Sequence, residues 1–375
     1  MPDGSTGDLS AALRLARKGR GATHDPANRY EAASRHAFDD GWGTLAEALA
    51  DLPPLATTLA RDHARSAIAW NDSPDLGFDR AVNPYRGCEH GCVYCYARPS
   101  HAQLGLSPGL DFESRIVYKP DVADLLAREL RRPGYAARGV RPLTLGSNTD
   151  PYQPVERTLR LTRAVLEVLD AHDHPVTVVT KSAGVLRDLD ILASMARRNL
   201  AQVCVSVTTL DDRLARIMEP RAATPARRLS ALRALSEAGV PTAILAAPMI
   251  PAVNDAELER LLAAGRAAGA ARAGYVLLRL PLEVADLFEA WLRAHLPDRA
   301  ARVLALVRET RRGTLYDARF GARMVGTGPF AEALAARFRL ALRRLGFESE
   351  TNTGRAPLDC AAFRAPADPR QPALL

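Results

Sequence analysis

Two hydrophobic periods alternate along the chain. Short β-branched runs at residues 80–84, 142–146, 176–180, 203–208, 242–247 and 275–279 are separated by longer stretches in which Leu, Ala and Val recur three and four positions apart. The runs predict strands. The stretches 121–132, 159–170, 185–197, 225–238 and 255–268 predict amphipathic helices. Strand, helix, strand repeated in this way predicts a parallel sheet with right-handed crossovers, hence an α/β fold that is either an open doubly wound sheet or an incomplete barrel. Residues 283–311 and 329–345, rich in Leu, Ala and Arg, predict further helices that close the core or cover its open side. No internal repeat is present, which sets solenoids and propellers aside.

The pattern also divides the chain. Residues 1–60 are poor in apolar periodicity and read as a mobile N-terminal arm; residues 61–282 form the core; residues 283–348 are a helical C-terminal extension; and the proline-rich residues 349–375 are a tail. Apolar residues make up 47 % of the chain and charged residues 25 %, values typical of soluble globular proteins, which excludes wholesale disorder and fibrous repeats. No run reaches the roughly 20 apolar residues that span a bilayer. The opening Met1-Pro2-Asp3-Gly4-Ser5 has no apolar signal core, so the expected compartment is the cytoplasm, with no membrane partner.

The net charge is +7, which hints at nucleic acid. The hint is weak, because Lys18, Lys119 and Lys181 are the only lysines and the arginine bias is equally explained by a solvated basic surface. The cysteines say more. Three of five, Cys88, Cys92 and Cys95, fall within eight residues, while Cys204 and Cys360 stand apart, an arrangement that argues for metal or catalysis over disulfides.

The run Asn83-Pro84-Tyr85-Arg86-Gly87-Cys88-Glu89-His90-Gly91-Cys92-Val93-Tyr94-Cys95-Tyr96 follows the first predicted strand. Three thiolates spaced by three and then two residues can wrap one inorganic cluster, and Gly87 and Gly91 permit positive φ and close approach of backbone to sulfur. Three ligands on a four-iron cube leave one iron open for a substrate or cofactor. The residues leave a second reading open, a structural zinc with a fourth ligand from His90, His101, Cys204 or Cys360, although the spacing is unusual for zinc.

Cys88-x3-Cys92-x-Tyr94-Cys95, with an aromatic residue before the third cysteine, resembles the signature of the radical S-adenosylmethionine (radical SAM) superfamily. The resemblance implies a partial (β/α)6 TIM-type barrel, a [4Fe-4S] cluster on Cys88, Cys92 and Cys95, and S-adenosylmethionine as cofactor. It further implies a 5'-deoxyadenosyl radical that abstracts hydrogen from substrate, and an electron donor such as flavodoxin or ferredoxin. Within the superfamily, the run from Cys92 to Tyr96, the second strand end Gly146-Ser147-Asn148-Thr149-Asp150 and the pair Thr180-Lys181 look most like the spore photoproduct lyase branch, over about residues 78–280.

By position, that likeness implies that Tyr94 packs against adenine while Thr149, Lys181 and Ser206 contact the methionyl and ribose parts. It makes Tyr96 a candidate catalytic relay and nucleic acid the expected substrate. One departure matters: the lyases carry a hydrogen-donating cysteine where this chain has Ser147, and an O–H bond is too strong to return a hydrogen atom readily to carbon. Thymine-dimer repair by the same route is therefore in doubt. Glu219 and Arg221 are expected near the mouth, as an ion pair or as site residues, and Arg279 is expected to bind a carboxylate or to form a salt bridge. The competing reading is a zinc-stabilised, non-enzymatic nucleic-acid-binding protein.

Overall fold

The computed structural model describes residues 19–30, 55–348 and 358–365. Among the described residues, ten strands form two sheets. β1 (Thr58–Arg61), β5 (Arg115–Tyr118) and β4 (Tyr85–Arg86) make a small sheet, and the main sheet runs β10-β9-β8-β7-β6-β3-β2. Its members are β2 (Ile68–Trp70), β3 (Arg80–Val82), β6 (Leu143–Leu145), β7 (Val176–Thr180), β8 (Ala201–Ser206), β9 (Thr242–Met249) and β10 (Arg272–Leu277). All neighbours from β3 to β10 are parallel; β2 is antiparallel to β3 at one edge.

Helices α1 (Val122–Arg131), α2 (Leu161–Ala171), α3 (Leu189–Arg197), α4 (Pro225–Glu237) and α5 (Leu258–Ala267) make the crossovers, followed by α6 (Val284–His295), α7 (Pro297–Thr310) and α8 (Pro329–Leu345). The six expected strands and five crossover helices are all present, and the architecture is the partial α/β barrel of TIM type with a helical C-terminal region. Alternation positions the core: Val176 and Val178, and Val203 and Val205, are fully buried in one continuous cluster with Leu166, Leu192, Leu232 and Leu261 from the helices. Each such side chain withdrawn from water contributes about 1.5–3 kcal/mol, which holds the strand ends in fixed register.

Boundaries shift where neighbours decide them. The sixth barrel strand begins at Arg272, three residues before the expected 275–279 run, because its backbone pairs with β9 from Arg272 opposite Ala243 onward. The expected helix 283–311 is two helices, broken at Leu296 because Pro297 lacks an N–H and starts the second. The open side between β10 and β2 is bridged by the short helix Ala322–Val325, whose Arg323 donates from Nε to Oδ2 of Asp75 in the β2–β3 loop at 2.7 Å.

Residues 19–30, within the expected arm, lie against the cysteine loop. Gly21 and Ala22 donate their N–H groups to the Glu113 carboxylate at 2.9 and 2.8 Å, and Asn28 Nδ2 donates to the carbonyl of Ala102 at 2.9 Å. A Cβ on Gly21 would collide with the carbonyl oxygen of Gly91, so only glycine lets the two backbones touch. Residues 55–60 of the expected arm are ordered as well and supply most of β1, while residues 1–18 and 31–54 and most of the tail lie outside the described residues.

Candidate active site

The cysteine loop leaves β4 at Arg86 and turns at Gly87 (φ 81°) and Gly91 (φ 66°). The small sheet and the helical turn before β5 support it: Cys88 donates its N–H to the carbonyl of Phe112 in that turn at 2.9 Å, and a Cβ on Gly87 would press on Ile116 of β5. Cys88 and Cys92 are buried and Cys95 is half-buried, all as free thiols. Burial pushes the Cys88 thiol up, with Asp150 and Cys92 adding to it; burial also raises Cys92, against the pull of Lys181. Cys92 and Cys95 both add to the rise of Cys88, and Cys95 adds to that of Cys92, so the three thiols share one small region. Among the described residues no three His, Cys, Asp or Glu side chains gather as the ligands of a single metal ion. Soft thiolates on a glycine-relieved loop suit an iron–sulfur cluster, and loading it releases their protons.

Two buried ion pairs clamp the loop. Arg98, fully buried, donates from Nε to the carbonyl of Cys92 at 2.9 Å, from Nη1 to the carbonyls of Pro108 and Gly109, and from Nη2 to Glu113. Glu219, 2 % exposed, accepts the Arg228 guanidinium, the Tyr94 hydroxyl and the Thr208 hydroxyl, the last at 2.6 Å. Glu219 therefore pairs with Arg228 inside the fold, and its sequence neighbour Arg221 pairs instead with Glu89 at 3.0 Å. Glu89 also accepts the N–H of Val155 at 2.8 Å. These carboxylates satisfy groups that a charged loop would otherwise leave unpaired.

The strand ends arrive opposite the loop. Asp150, beyond β6, accepts from Thr180 Oγ1 and Lys181 N, both at 2.7 Å, and faces His90 Nδ1 at 3.3 Å. Burial alone would raise its carboxyl; the His90 partner and the donated bonds override burial and hold it at about 2. Asp150 so ties the cysteine loop to the end of β7, where Lys181 carries its ammonium 5.9 Å from the Tyr94 ring centroid.

Thr149 donates its hydroxyl to the carbonyl of Tyr85 at 3.0 Å, and Ser206 is buried at the end of β8, its carbonyl accepting from Arg228 Nη1 at 3.2 Å. Cys95, Tyr94, Lys181, Thr149 and Ser206 thus all belong to the C-terminal end of the parallel strands, where sites of such barrels gather. Tyr96 is 46 % exposed, donates its hydroxyl to the carbonyl of Ser147, and lies under the Arg279 guanidinium at 4.9 Å. Cys204 shares the strand face of Ser206, with its thiol pushed up to about 11 by burial. Cys360 lies in the described segment 358–365, away from the loop, its thiol donating to the carbonyl of Leu358.

Sequence reasoning missed Glu113, Arg98, Arg228 and the clamping role of Gly21, whose partners are distant in the chain; the one usable signal was charge within an otherwise apolar or glycine-rich context.

The family model of the Radical SAM superfamily matches residues 82–264. An uncharacterized protein of Mycobacterium tuberculosis is 38 % identical over 236 residues, 62 % of this chain and 68 % of its own. An uncharacterized protein of Methanocaldococcus jannaschii is 28 % identical over 181 residues, covering 48 % of this chain and 64 % of its own. Among solved structures, spore photoproduct lyase complexed with dinucleoside spore photoproduct superposes with a TM-score of 0.57 at 16 % identity, over 76 % of this chain and 79 % of that one, a likeness of fold alone.

Proposed function

Because the chain belongs to the radical SAM superfamily, we propose that Cys88, Cys92 and Cys95 hold a [4Fe-4S] cluster and that Tyr94, Thr149, Lys181 and Ser206 line the S-adenosylmethionine site. When bound, the cluster supplies the electron that cleaves S-adenosylmethionine to methionine and the 5'-deoxyadenosyl radical, the species that takes hydrogen from substrate.

This chain's own residues do the positioning. Arg98 and Glu113 hold the loop from below, and Glu219 holds Tyr94 by its hydroxyl. Lys181, at a strand end beside Tyr94, offers an ammonium to a carboxylate. Burial of Cys88 and Cys92 keeps water from the cluster side. Tyr96, exposed and one residue past the third cysteine, is the side chain best placed to meet substrate.

The observation that carries this reading is the convergence of three free thiols, on a loop clamped by two buried ion pairs, with the C-terminal ends of parallel strands. Nucleic acid is the proposed substrate class, supported by the +7 charge and by the shared fold with a lyase solved with a dinucleoside. Ser147 stands where a cysteine hydrogen donor would be needed for thymine-dimer repair, so a different radical outcome is proposed. An external one-electron carrier of the flavodoxin or ferredoxin kind is the proposed reductant.

The test is anaerobic reconstitution, reduction, and assay of 5'-deoxyadenosine. About four irons per chain, matching sulfide and 5'-deoxyadenosine formation are expected. Zinc in place of iron, or a full iron complement that yields no 5'-deoxyadenosine, overturns the proposal.

A further inference from the structure

At the end of β10 the mouth carries two guanidiniums that form an ion pair with no carboxylate among the described residues. Arg311, 1 % exposed at the end of α7, donates from Nη1 to the carbonyl of Ala322 at 2.8 Å and from Nη2 to the carbonyls of Leu277 and Leu278 at 3.0 and 2.7 Å; its Nε has no partner. Arg279, two residues past β10, has a buried Nε with no partner, and its Nη1 meets Met324 Sδ at 3.0 Å, a weak acceptor. Its guanidinium lies over the ring of Tyr96 at 4.9 Å. Burial, and then the neighbouring charge of Arg279, bring Arg311 down to about 10, so the two cations sense each other.

The neighbours are different. Arg323 is paired with Asp75, and Arg319 with Asp317 at 2.9 Å through Nε. Among the described residues, no Asp or Glu comes within ion-pair distance of Arg279 or Arg311. Unpaired cations and orphaned N–H groups, partly withdrawn from water, are costly unless an anion completes them. Their place is the rim where substrate must pass to reach Tyr96.

We propose that Arg279, reinforced by the buried charge of Arg311, binds a phosphate group of the substrate at the β10 rim of the barrel mouth. Arg311 is the positioning member: its bonds to Leu277 and Leu278 hold the strand end from which Arg279 projects. Arg279 is half-buried, its Nε without a partner and its Nη1 on a weak acceptor, and a guanidinium is the group that grips phosphate oxygens through paired N–H donors. The proposal rests on the nucleic-acid reading for the identity of the phosphate carrier and not for the site itself, since a free nucleotide offers the same oxyanion.

The experiment measures equilibrium binding to the full chain, reconstituted with iron and sulfide under anaerobic conditions. The ligands are a single-stranded thymidine octanucleotide, its uncharged methylphosphonate analogue, and thymidine monophosphate. Arg279→Gln and Arg279→Lys are compared with the wild type after matching their iron content and thermal unfolding.

For the octanucleotide, Arg279→Gln is expected to weaken binding about tenfold and to lower the slope of log affinity against log salt by about 0.7, the loss of one phosphate contact on a single strand. Arg279→Lys should recover most of the affinity, and the methylphosphonate should not distinguish the three proteins. If thymidine monophosphate alone binds, with the same dependence on Arg279, the site stands and the nucleic-acid reading falls. Production of 5'-deoxyadenosine by the wild type reports separately on the radical reading. Equal affinities and equal salt slopes for wild type and Arg279→Gln, or no binding of any phosphate ligand by the wild type, overturn the proposal.

Discussion

On the cysteine-loop side of the mouth, Arg98 and Arg228 each end on a buried carboxylate, Glu113 and Glu219; on the β10 side, Arg279 and Arg311 end on a thioether, an aromatic face and main-chain carbonyls. Both sides belong to one barrel and carry the same residue type. The difference lies in what remains to be bound. The loop side has its charges satisfied within the chain, as suits a wall that must hold three thiolates still. The β10 side leaves positive charge and N–H donors available, as suits a wall that meets an incoming anion.

The strongest way to break the first wall is to remove a thiol. Cys92→Ala should reduce iron to background after reconstitution and abolish 5'-deoxyadenosine formation while leaving the fold intact by circular dichroism. Iron retention at the wild-type level would mean that Cys92 is not a ligand.

Next in size are the carboxylates. Glu113→Ala leaves Arg98 buried and unpaired and also strips the acceptor from Gly21 and Ala22, so a loss of about 3–5 kcal/mol is expected, roughly 5 °C in Tm by calorimetry. Glu219→Ala should behave similarly through Arg228 and Tyr94. A loss no larger than that of an exposed substitution would remove the distinction between the two walls.

Acid provides a smaller perturbation of the same wall. His101 packs edge-on against Phe112 beneath the loop, and burial lowers its pKa to about 4. A histidine held neutral in the fold binds fewer protons than it does unfolded, so its contribution is complete above about 6.5 and is lost as pH falls through 6.5 toward 4. At pH 5 the loss is about 2 kcal/mol. His101→Gln should flatten that part of the pH–stability curve in denaturant titrations; an unchanged curve would show that His101 is not its source.

The smallest effect on stability is expected on the β10 side. Arg279→Gln removes a cation that has no ion-pair partner among the described residues and relieves Arg311, so unfolding free energy should change by less than about 1 kcal/mol, in either direction. A loss comparable to Glu113→Ala would show that Arg279 is structural and that the two walls are alike.

The legibility of the molecule follows the range of the interactions. The cysteine loop could be read because its three thiols lie within eight residues of one another. The six barrel strands could be read because burial on both sides of a parallel sheet demands β-branched runs. The small sheet could not: β4 is only two residues long, and β1 is exposed throughout, so neither shows a period. Glu219 beside Arg221 looked like a local pair, yet the fold gives Glu219 to Arg228 and Arg221 to Glu89. Nothing near Gly21 announces that it touches Gly91 seventy residues on.

By itself, then, the sequence determined the closely spaced thiols, the order of strands and helices, and the end of the barrel where the two meet, because local spacing and hydrophobic period are written into consecutive residues. Only the tertiary structure decided which arginines are neutralised and which stay open, because a counter-charge is a matter of distance in space. Arg98 and Arg279 are the same residue type in the chain; one lies against Glu113 and the other against Tyr96, and that placement separates a clamp from a binding edge.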